Sequence, residues 1–344
     1  MTRKSMQRVG GLCLLSLAAA LIIASPSKMD DHSVGLDERN LSASVVNAVC
    51  SINQNVNAQV FDMPKLYVLP MDLSPAPPPN PDCYHDDSYE DDTLTVKCWH
   101  ERIPLEGRTV TANFADVTIA HPTQLRMAFA GGTYGTSKRT LASRMAAANN
   151  AVLAINADFY NCRTDGLIVR QGKCYRKMCV GIDTLLIDMD GDFHVMLDYE
   201  AQYSEMMRKG QVYQAINFGP VIVQDGQPVK KLEAFRSVAC GPRANNPRTA
   251  IGQLGRLHYL VCTVDGRSDS SDGLTTNELG VIMADKGCRI AYNLDGGQST
   301  TMIFHNEVYN VVSDGGERHM SDILYFGSSI PQEDWRDGTQ SAET

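Results

Sequence analysis

The chain has 344 residues, enough for one large domain or two ordinary ones with a real hydrophobic core. Its 43% hydrophobic and 21% charged residues are the proportions of a globular chain and exclude a wholly disordered one. The formal charge of −9, with no basic stripe along the sequence, argues against nucleic acid as a partner.

At the N-terminus Arg3, Lys4 and Arg8 precede an apolar run from Val9 to Ala24, closed by Ser25-Pro26-Ser27. A basic start, a short apolar stretch and small residues at its end read as an export signal. The run falls short of the roughly 20 residues that span a bilayer. A cleaved signal over residues 1–24 is therefore the first expectation and an uncleaved anchor the second. The protein is expected to be secreted or held in the cell envelope, meeting membrane only through residues 9–24. Cleavage removes three of the 31 basic residues and none of the 40 acidic ones, leaving −12. Nine cysteines remain: Cys50, Cys83, Cys98, Cys162, Cys174, Cys179, Cys240, Cys262 and Cys288. In an exported chain these predict at least two disulfides, with one thiol left over because the number is odd. Zinc is the competing use, but no C-x-x-C pair occurs.

Residues 25–105 differ in texture from the rest of the chain. Ser74-Pro75-Ala76-Pro77-Pro78-Pro79-Asn80-Pro81 favours polyproline II, a semi-rigid spacer. The next eleven residues, Asp82 to Asp92, hold six acids and two tyrosines, a charge run that reads as solvated, with calcium capture the lesser alternative. Cys83 and Cys98 bracket it and are placed to staple it. The region is expected to be a stalk or accessory lobe.

From about Gly107 the pattern is that of a compact domain. Thr140–Asn150, rich in Ala, Leu and Met, predicts a helix, and the continuous apolar run Ala151–Ile155 predicts a strand buried on both faces. Thr184–Ile187 and Phe193–Leu197 flank Asp188-Met189-Asp190-Gly191-Asp192, a hairpin signal. Its likeness to a calcium loop fails because the glycine comes too early and no downstream Glu completes the set. Leu257–Val264 predicts a strand ending in Asp265-Gly266. Thr275-Thr276-Asn277-Glu278 has capping-box spacing before an amphipathic helix that Gly287 stops, and Arg289–Leu294 is a second strand ending in Asp295-Gly296-Gly297. This is strand–helix–strand, with the two strands expected to run parallel. Helix–strand alternation mixed with hairpins gives the expected class: α/β or α+β, mixed β-sheets with flanking helices.

Three apolar strands thus end in polar clusters: Asn156-Ala157-Asp158, Asp265-Gly266-Arg267, and Asp295-Gly296-Gly297-Gln298-Ser299-Thr300-Thr301. In one sheet, their carboxyl ends would meet at one edge, where open α/β sheets bind ligands. The glycines let main-chain N–H groups approach an anion or a sugar hydroxyl. No metal-ligand spacing appears, so no cofactor is expected.

Five segments stand in the order seen in phosphodiester glycosidases: Asn156-Ala157-Asp158-Phe159-Tyr160, Phe218-Gly219-Pro220, Pro247–Gly252, Val264-Asp265-Gly266 and Asn293–Gly297. Ser313-Asp314-Gly315-Gly316-Glu317-Arg318 resembles the late motif of bacterial members. The resemblance covers roughly Arg108 to Phe326 and leaves the N-terminal region unexplained. It implies a catalytic domain over 106–328 with a polar tail over 329–344. It also implies an exported hydrolase that cuts a sugar, with N-acetylglucosamine the candidate, from a glycosyl phosphodiester or a sugar-phosphate-containing glycan. Gln298 stands where that family usually has a third glycine, which narrows the pocket or adds an amide for substrate.

Cleaving a sugar from phosphate builds oxocarbenium character at the anomeric carbon and returns charge to the phosphate, work usually done by two carboxylates. The expected catalytic groups are Asp295 as base or nucleophile, Glu278 as second carboxylate, and Asp158. Glu278 is equally well explained as a helix cap, and Asp295 as the cap of a glycine turn. Arg248 is the expected bidentate phosphate ligand, with Arg318 second and Arg267 third, the last equally readable as a surface ion pair. Asn156, Thr249, Asp265, Gly296, Gly297 and Ser299 complete the expected substrate-binding set. Two rival readings are a non-catalytic carbohydrate-binding protein and a serine hydrolase using Ser299, although the G-x-S-x-G elbow is missing.

Overall fold

The computed structural model describes residues 65–335, apart from 136, 179–182, 197–200 and 231–243. The export segment, Cys50, Cys179 and Cys240 lie outside the described residues. Three sheets form one body.

The first strands are β1 (Tyr84–His85), β2 (Ser88–Glu90), β3 (Leu94–Leu105), β4 (Arg108–Ile119) and β5 (Leu125–Phe129). Helix α1 (Ala142–Ala148) leads to β6 (Leu153–Asn156), β7 (Gly166–Arg170), β8 (Lys173–Met178), β9 (Thr184–Asp188) and β10 (Phe193–Met196). Helix α2 (Ala201–Arg208) precedes β11 (Val212–Ile216), β12 (Val221–Gln224), β13 (Gln227–Pro228), β14 (Arg248–Gly255) and β15 (His258–Val264). Helix α3 (Thr276–Asp285) is followed by β16 (Ile290–Asn293), β17 (Met302–Phe304), β18 (Glu307–Val308) and β19 (Asp322–Phe326). A nine-stranded sheet has the order β1-β2-β3-β4-β15-β14-β16-β12-β13, and two five-stranded sheets run β10-β9-β11-β7-β8 and β18-β17-β6-β19-β5.

The continuous apolar runs owe their character to burial on both faces. In β15, Tyr259 and Val261 point into a core shared by all three sheets, while Leu260, Cys262 and Val264 point to the opposite face, under α3. Leu153 and Ile155 of β6 enter the shared core and Ala154 the layer beneath α1. Leu185 and Ile187 of β9 do the same against Leu186, which faces Tyr203 of α2. Side chains alternate across a strand, so a strand covered on both faces needs apolar residues at every position.

Every ladder among the described residues is antiparallel, which corrects the expectation of mixed sheets. β15 and β16 do run in the same direction, but β14 is inserted between them and pairs with both. Hence the C-terminal ends of β15 and β16 and the N-terminal end of β14 share one sheet edge. Helix α3 covers this sheet with buried Leu279, Ile282 and Met283, each contributing about 1.5–3 kcal/mol by its burial. Gly280 lets it approach, since a Cβ there would lie 2.8 Å from the Ile222 carbonyl oxygen.

The N-terminal lobe reading is also corrected. β3 pairs with β4 along its whole length, from Leu94↔Ile119 to Leu105↔Arg108, so the boundary expected at 105/106 falls at a hairpin tip. The chain before it is strapped down by Arg126, which is fully buried without a carboxylate. Its Nη1 donates to the carbonyls of Pro70 (2.9 Å) and Thr123 (3.2 Å), its Nη2 to those of Asp72 (2.9 Å) and Ser74 (3.1 Å), and its Nε to Tyr325 Oη (3.0 Å). All five guanidinium N–H groups are thereby matched, which is how a buried arginine avoids a large desolvation cost. The Pro-rich run is therefore not a projecting spacer: Ala76 is buried and exchanges hydrogen bonds with Asn149 and Asn150 at the end of α1. The expected tail is likewise partly packed, with Ser329 and Ile330 buried and Tyr67 Oη donating to Asp334 at 2.7 Å.

The six described cysteines, Cys83, Cys98, Cys162, Cys174, Cys262 and Cys288, are all free thiols. The expected Cys83–Cys98 staple is absent, and no bridge forms among the described cysteines, which leaves the expected disulfides without support there. Burial explains four of the six: Cys83, Cys98, Cys262 and Cys288 serve as small apolar side chains in the two largest cores.

Candidate active site

The site grows from the edge where β15 and β16 end. Asp295 follows β16, and β6 from the neighbouring sheet reaches the same point, so the two sheets are stitched there. Asn156 Nδ2 donates to the Asp295 carbonyl at 2.6 Å, and Asp295 N donates to the Ala157 carbonyl at 3.2 Å. Asn156 Oδ1 accepts from Thr249 Oγ1 at 2.8 Å and from Thr301 N at 3.1 Å. This side chain is buried with its polar groups used on β14, the end of β16 and the start of β17.

The glycine turn after Asp295 is pressed against the start of β14. Gly297 N donates to the Pro247 carbonyl at 2.9 Å, and a Cβ on Gly296 would lie 2.7 Å from that oxygen. Gly297 has φ +62°, the left-handed region that favours glycine. The half-buried Asp295 carboxyl accepts from Gly296 N at 2.9 Å. Burial pushes its pKa above the ordinary value, while nearby Ser299 and the charges of Arg318 and Arg163 pull in the opposite direction. Ser299 Oγ is buried against this carboxyl but without hydrogen-bond geometry, and among the described residues it has no imidazole partner, which removes the basis for a serine-hydrolase reading.

Both arginines are braced by aromatics. The Arg318 guanidinium lies 5.7 Å from the Phe159 ring centroid and that of Arg163 lies 5.9 Å from Phe218. Phe159 has φ +61°, an uncommon conformation for a bulky side chain that costs about 1–3 kcal/mol and marks a constrained site. Arg163 also donates to the Asn217 carbonyl.

The phosphodiester glycosidase family profile matches residues 149–327, more than half of the chain and the whole stretch from β6 to β19. The chain belongs to the phosphodiester glycosidase family. Over 251 residues, 71% of its length, it is 27% identical to the SPbeta prophage-derived uncharacterized protein YomE of Bacillus subtilis (strain 168), and it spans 38% of that relative. Its fold resembles the zebrafish N-acetylglucosamine-1-phosphodiester alpha-N-acetylglucosaminidase catalytic domain auto-inhibited by its pro-peptide. There the TM-score is 0.57 and the identity 19%, covering 74% of this chain and 87% of that one.

Within this phosphodiester glycosidase fold, Asp295, Asn156, Thr249, Gly296, Gly297, Ser299, Arg267 and Arg318 gather around the glycine turn. Four expected site residues are used elsewhere. Glu278 caps α3: its Oε2 accepts from Thr275 N and Oγ1, both at 2.8 Å, and its Oε1 pairs with Arg108 at 2.6 Å. Burial opposes its ionisation, but these bonds outweigh it and hold its pKa below the ordinary value. Asp158 lies in a fully buried triad in which Arg170 Nη2 pairs with Asp158 at 3.0 Å and Asp322 at 2.8 Å, so its charge is engaged inside the fold. Burial, then the neighbouring Asp158 charge, push the Asp322 pKa up to about 7 against the pull of Arg170. Asp265 accepts from Asn113 Nδ2 of β4 at 2.8 Å and from Val311 N at 3.2 Å, so its carboxyl ties the end of β15 to β4 and to the loop after β18.

Arg248 is the main correction on the phosphate side. Its Nε donates to the Leu274 carbonyl at 2.8 Å and its Nη2 to that of Ala244 at 2.7 Å, so the expected phosphate-gripping fork holds main chain instead. Arg267 pairs with Asp314 at 2.6 Å and lies along Gly297, both an ion pair and a neighbour of the site. Arg163 escapes a reading of the sequence alone. The available signal was its position in the loop seven residues beyond Asn156, at the end of a buried strand. Gln298 Nε2 points to the carbonyls of Asp314 (3.4 Å) and Gly316 (3.2 Å). Among the described residues no group of three or more His, Cys, Asp or Glu side chains is arranged to hold a metal ion.

Proposed function

We propose that the protein hydrolyses glycosyl phosphodiesters, releasing a free sugar and a phosphate monoester. The observation that carries this reading is the half-buried Asp295 carboxyl on a glycine turn, under the influence of two arginine charges, Arg318 and Arg163. Asp295 acts on the sugar side as the base. It takes a proton from water as the water oxygen bonds to the anomeric carbon, and the bond from that carbon to the phosphate oxygen breaks with its electron pair leaving on phosphate. A phosphate monoester has a second pKa of about 6 and departs without a proton at neutral pH. No second carboxylate is therefore needed, consistent with the structural use of Glu278 and Asp158. Arg318 and Arg163 stabilise the charge that collects on the leaving phosphate.

N-acetylglucosamine is the first sugar to test, because the zebrafish enzyme of similar fold carries that sugar in its name. The basic and apolar N-terminal segment supports action outside the cytoplasm, on an envelope or extracellular glycan. The deciding experiment incubates the protein with UDP-N-acetylglucosamine and with a simple α-glycosyl phosphodiester. Free sugar with a phosphate monoester is expected; release of a sugar phosphate would mean cleavage on the other side of phosphorus and would overturn the reading.

A further inference from the structure

The loop 313–318 brings Arg318 to the site, and its one internal side-chain hydrogen bond runs from Ser313 Oγ to Asp314 Oδ2 at 3.0 Å, at the loop's first two residues. Asp314, Gly315 and Gly316 have φ of 55°, 88° and 123° in succession, and Gly316 N reaches the Ser313 carbonyl only at 3.4 Å. Such a turn does not define its own shape, so its place is set by what grips it. At the far end Glu317 accepts from Ser143 N (3.0 Å) and Ser143 Oγ (2.6 Å) at the start of α1. At the near end Gln298 and Arg267, both at the glycine turn, hold the loop from two sides. The Gln298 amide is directed at the carbonyls of Asp314 and Gly316, and Arg267 Nη1 pairs with the Asp314 carboxylate while its Nη2 donates to Asn246 Oδ1 at 3.1 Å.

We propose that Gln298, together with Arg267, is a positioning residue that latches the 313–318 loop onto the glycine turn and so fixes where Arg318 presents its charge to the substrate phosphate. The proposal rests on the reading of Arg318 as a phosphate ligand. Two N–H donors on one amide suit two carbonyls spaced two residues apart, which neither an apolar side chain of equal length nor a glycine can satisfy. The sugar-side group, Asp295, belongs to the turn itself and is held by Asn156 and Gly296. Loosening the latch therefore weakens phosphate recognition while leaving the Asp295 main chain in place.

The test uses the full chain, with Gln298→Met keeping side-chain length without donors and Gln298→Ala removing the side chain. The phosphate probe is inorganic phosphate, titrated by calorimetry. Each variant is expected to bind it about 5-fold more weakly, the effect of losing one ordinary hydrogen bond. The double variant Gln298→Met/Arg318→Lys should bind within about twofold of Arg318→Lys alone, because residues acting through one another are not additive. Additive losses, or unchanged binding in both Gln298 variants, would overturn the proposal. Hydrogen exchange of the amides from Gly315 to Arg318 tests the latch without relying on phosphate: these should exchange faster in Gln298→Met while those of α3 do not change. Unchanged exchange would sink the latch itself. Faster exchange in a protein whose unaltered form binds no phosphate would instead leave the latch standing and overturn its phosphate role, along with the phosphodiester reading.

Discussion

Asn156 donates its side-chain amide to the main-chain oxygen of Asp295 at 2.6 Å, joining the end of a strand in one sheet to the end of a strand in another. Because its own oxygen is also used by Thr249 and Thr301, the amide cannot turn over without leaving buried groups unpaired. Asn156→Asp removes the donor and sets a carboxyl oxygen against the Asp295 carbonyl. The variant should lose about 1–3 kcal/mol of stability, the cost of an unsatisfied buried polar group, and also lose turnover because Asp295 shifts. Denaturant unfolding combined with steady-state kinetics checks both; full activity in Asn156→Asp would show that the stitch does not position Asp295.

Asp295→Asn keeps the shape and removes the charge. Its kcat on a glycosyl phosphodiester should fall by about 10²–10⁴-fold, the usual range for a positioned base, with little change in KM. In the unaltered protein burial raises the Asp295 pKa, so the acid side of the kcat/KM profile should turn at a pH above the ordinary carboxylate value of 3.8. That turn should vanish in Asp295→Asn, and its persistence would assign the titration to another group.

Arg248 and Arg318 should separate cleanly. Arg318→Lys should raise KM for the phosphodiester and lower kcat, yet barely affect any slow turnover of an aryl glycoside, which has no phosphate. Arg248→Lys loses its grip on the Leu274 and Ala244 carbonyls, so thermal unfolding should occur at a lower temperature, with a smaller effect on KM than Arg318→Lys has. A larger KM effect from Arg248→Lys would restore it as the phosphate ligand.

The Asp158–Arg170–Asp322 triad predicts a pH dependence of stability. The folded state holds a proton on Asp322 up to about pH 7, whereas a carboxyl of ordinary pKa 3.8 in the unfolded chain has already released it. The folded state thus binds more protons across this interval, and stability falls as pH rises through it before levelling above about pH 7. Urea unfolding from pH 4 to 8 reads the slope, and Asp322→Asn should flatten it. Arg170→Met leaves two buried acids without their partner and should cost about 3–5 kcal/mol.

Glu278→Ala tests the cap. It should lower stability by about 0.5–2 kcal/mol, as helix-cap losses do, and leave kcat within twofold. A kcat loss of 100-fold or more would return Glu278 to the catalytic set.

The sequence by itself determined the local elements. The helix at α1, the β9–β10 hairpin, and the strand–helix–strand unit with its Thr275–Glu278 capping box follow from periodicity, turn residues and side-chain capping, which act over a few neighbours. It also marked the ends of β6 and β16 as polar clusters on buried strands, which is where Asn156 and Asp295 meet. Only the tertiary structure decided what each charge does. Arg248, Glu278 and Asp158 have the residue types that catalysis needs, but a charge serves catalysis only if its partners leave it available. Those partners, the carbonyls of Ala244 and Leu274, the Arg108 guanidinium and the Arg170–Asp322 pair, come from segments as far as 170 residues away in the chain. The insertion of β14 between β15 and β16 was hidden for the same reason, since a strand's apolar pattern records that both faces are covered and not which strand lies beside it. Free cysteines in the cores and the strapped Pro-rich segment were misread because composition reports what a residue can do, while burial against Arg126 or under α3 fixes what it does.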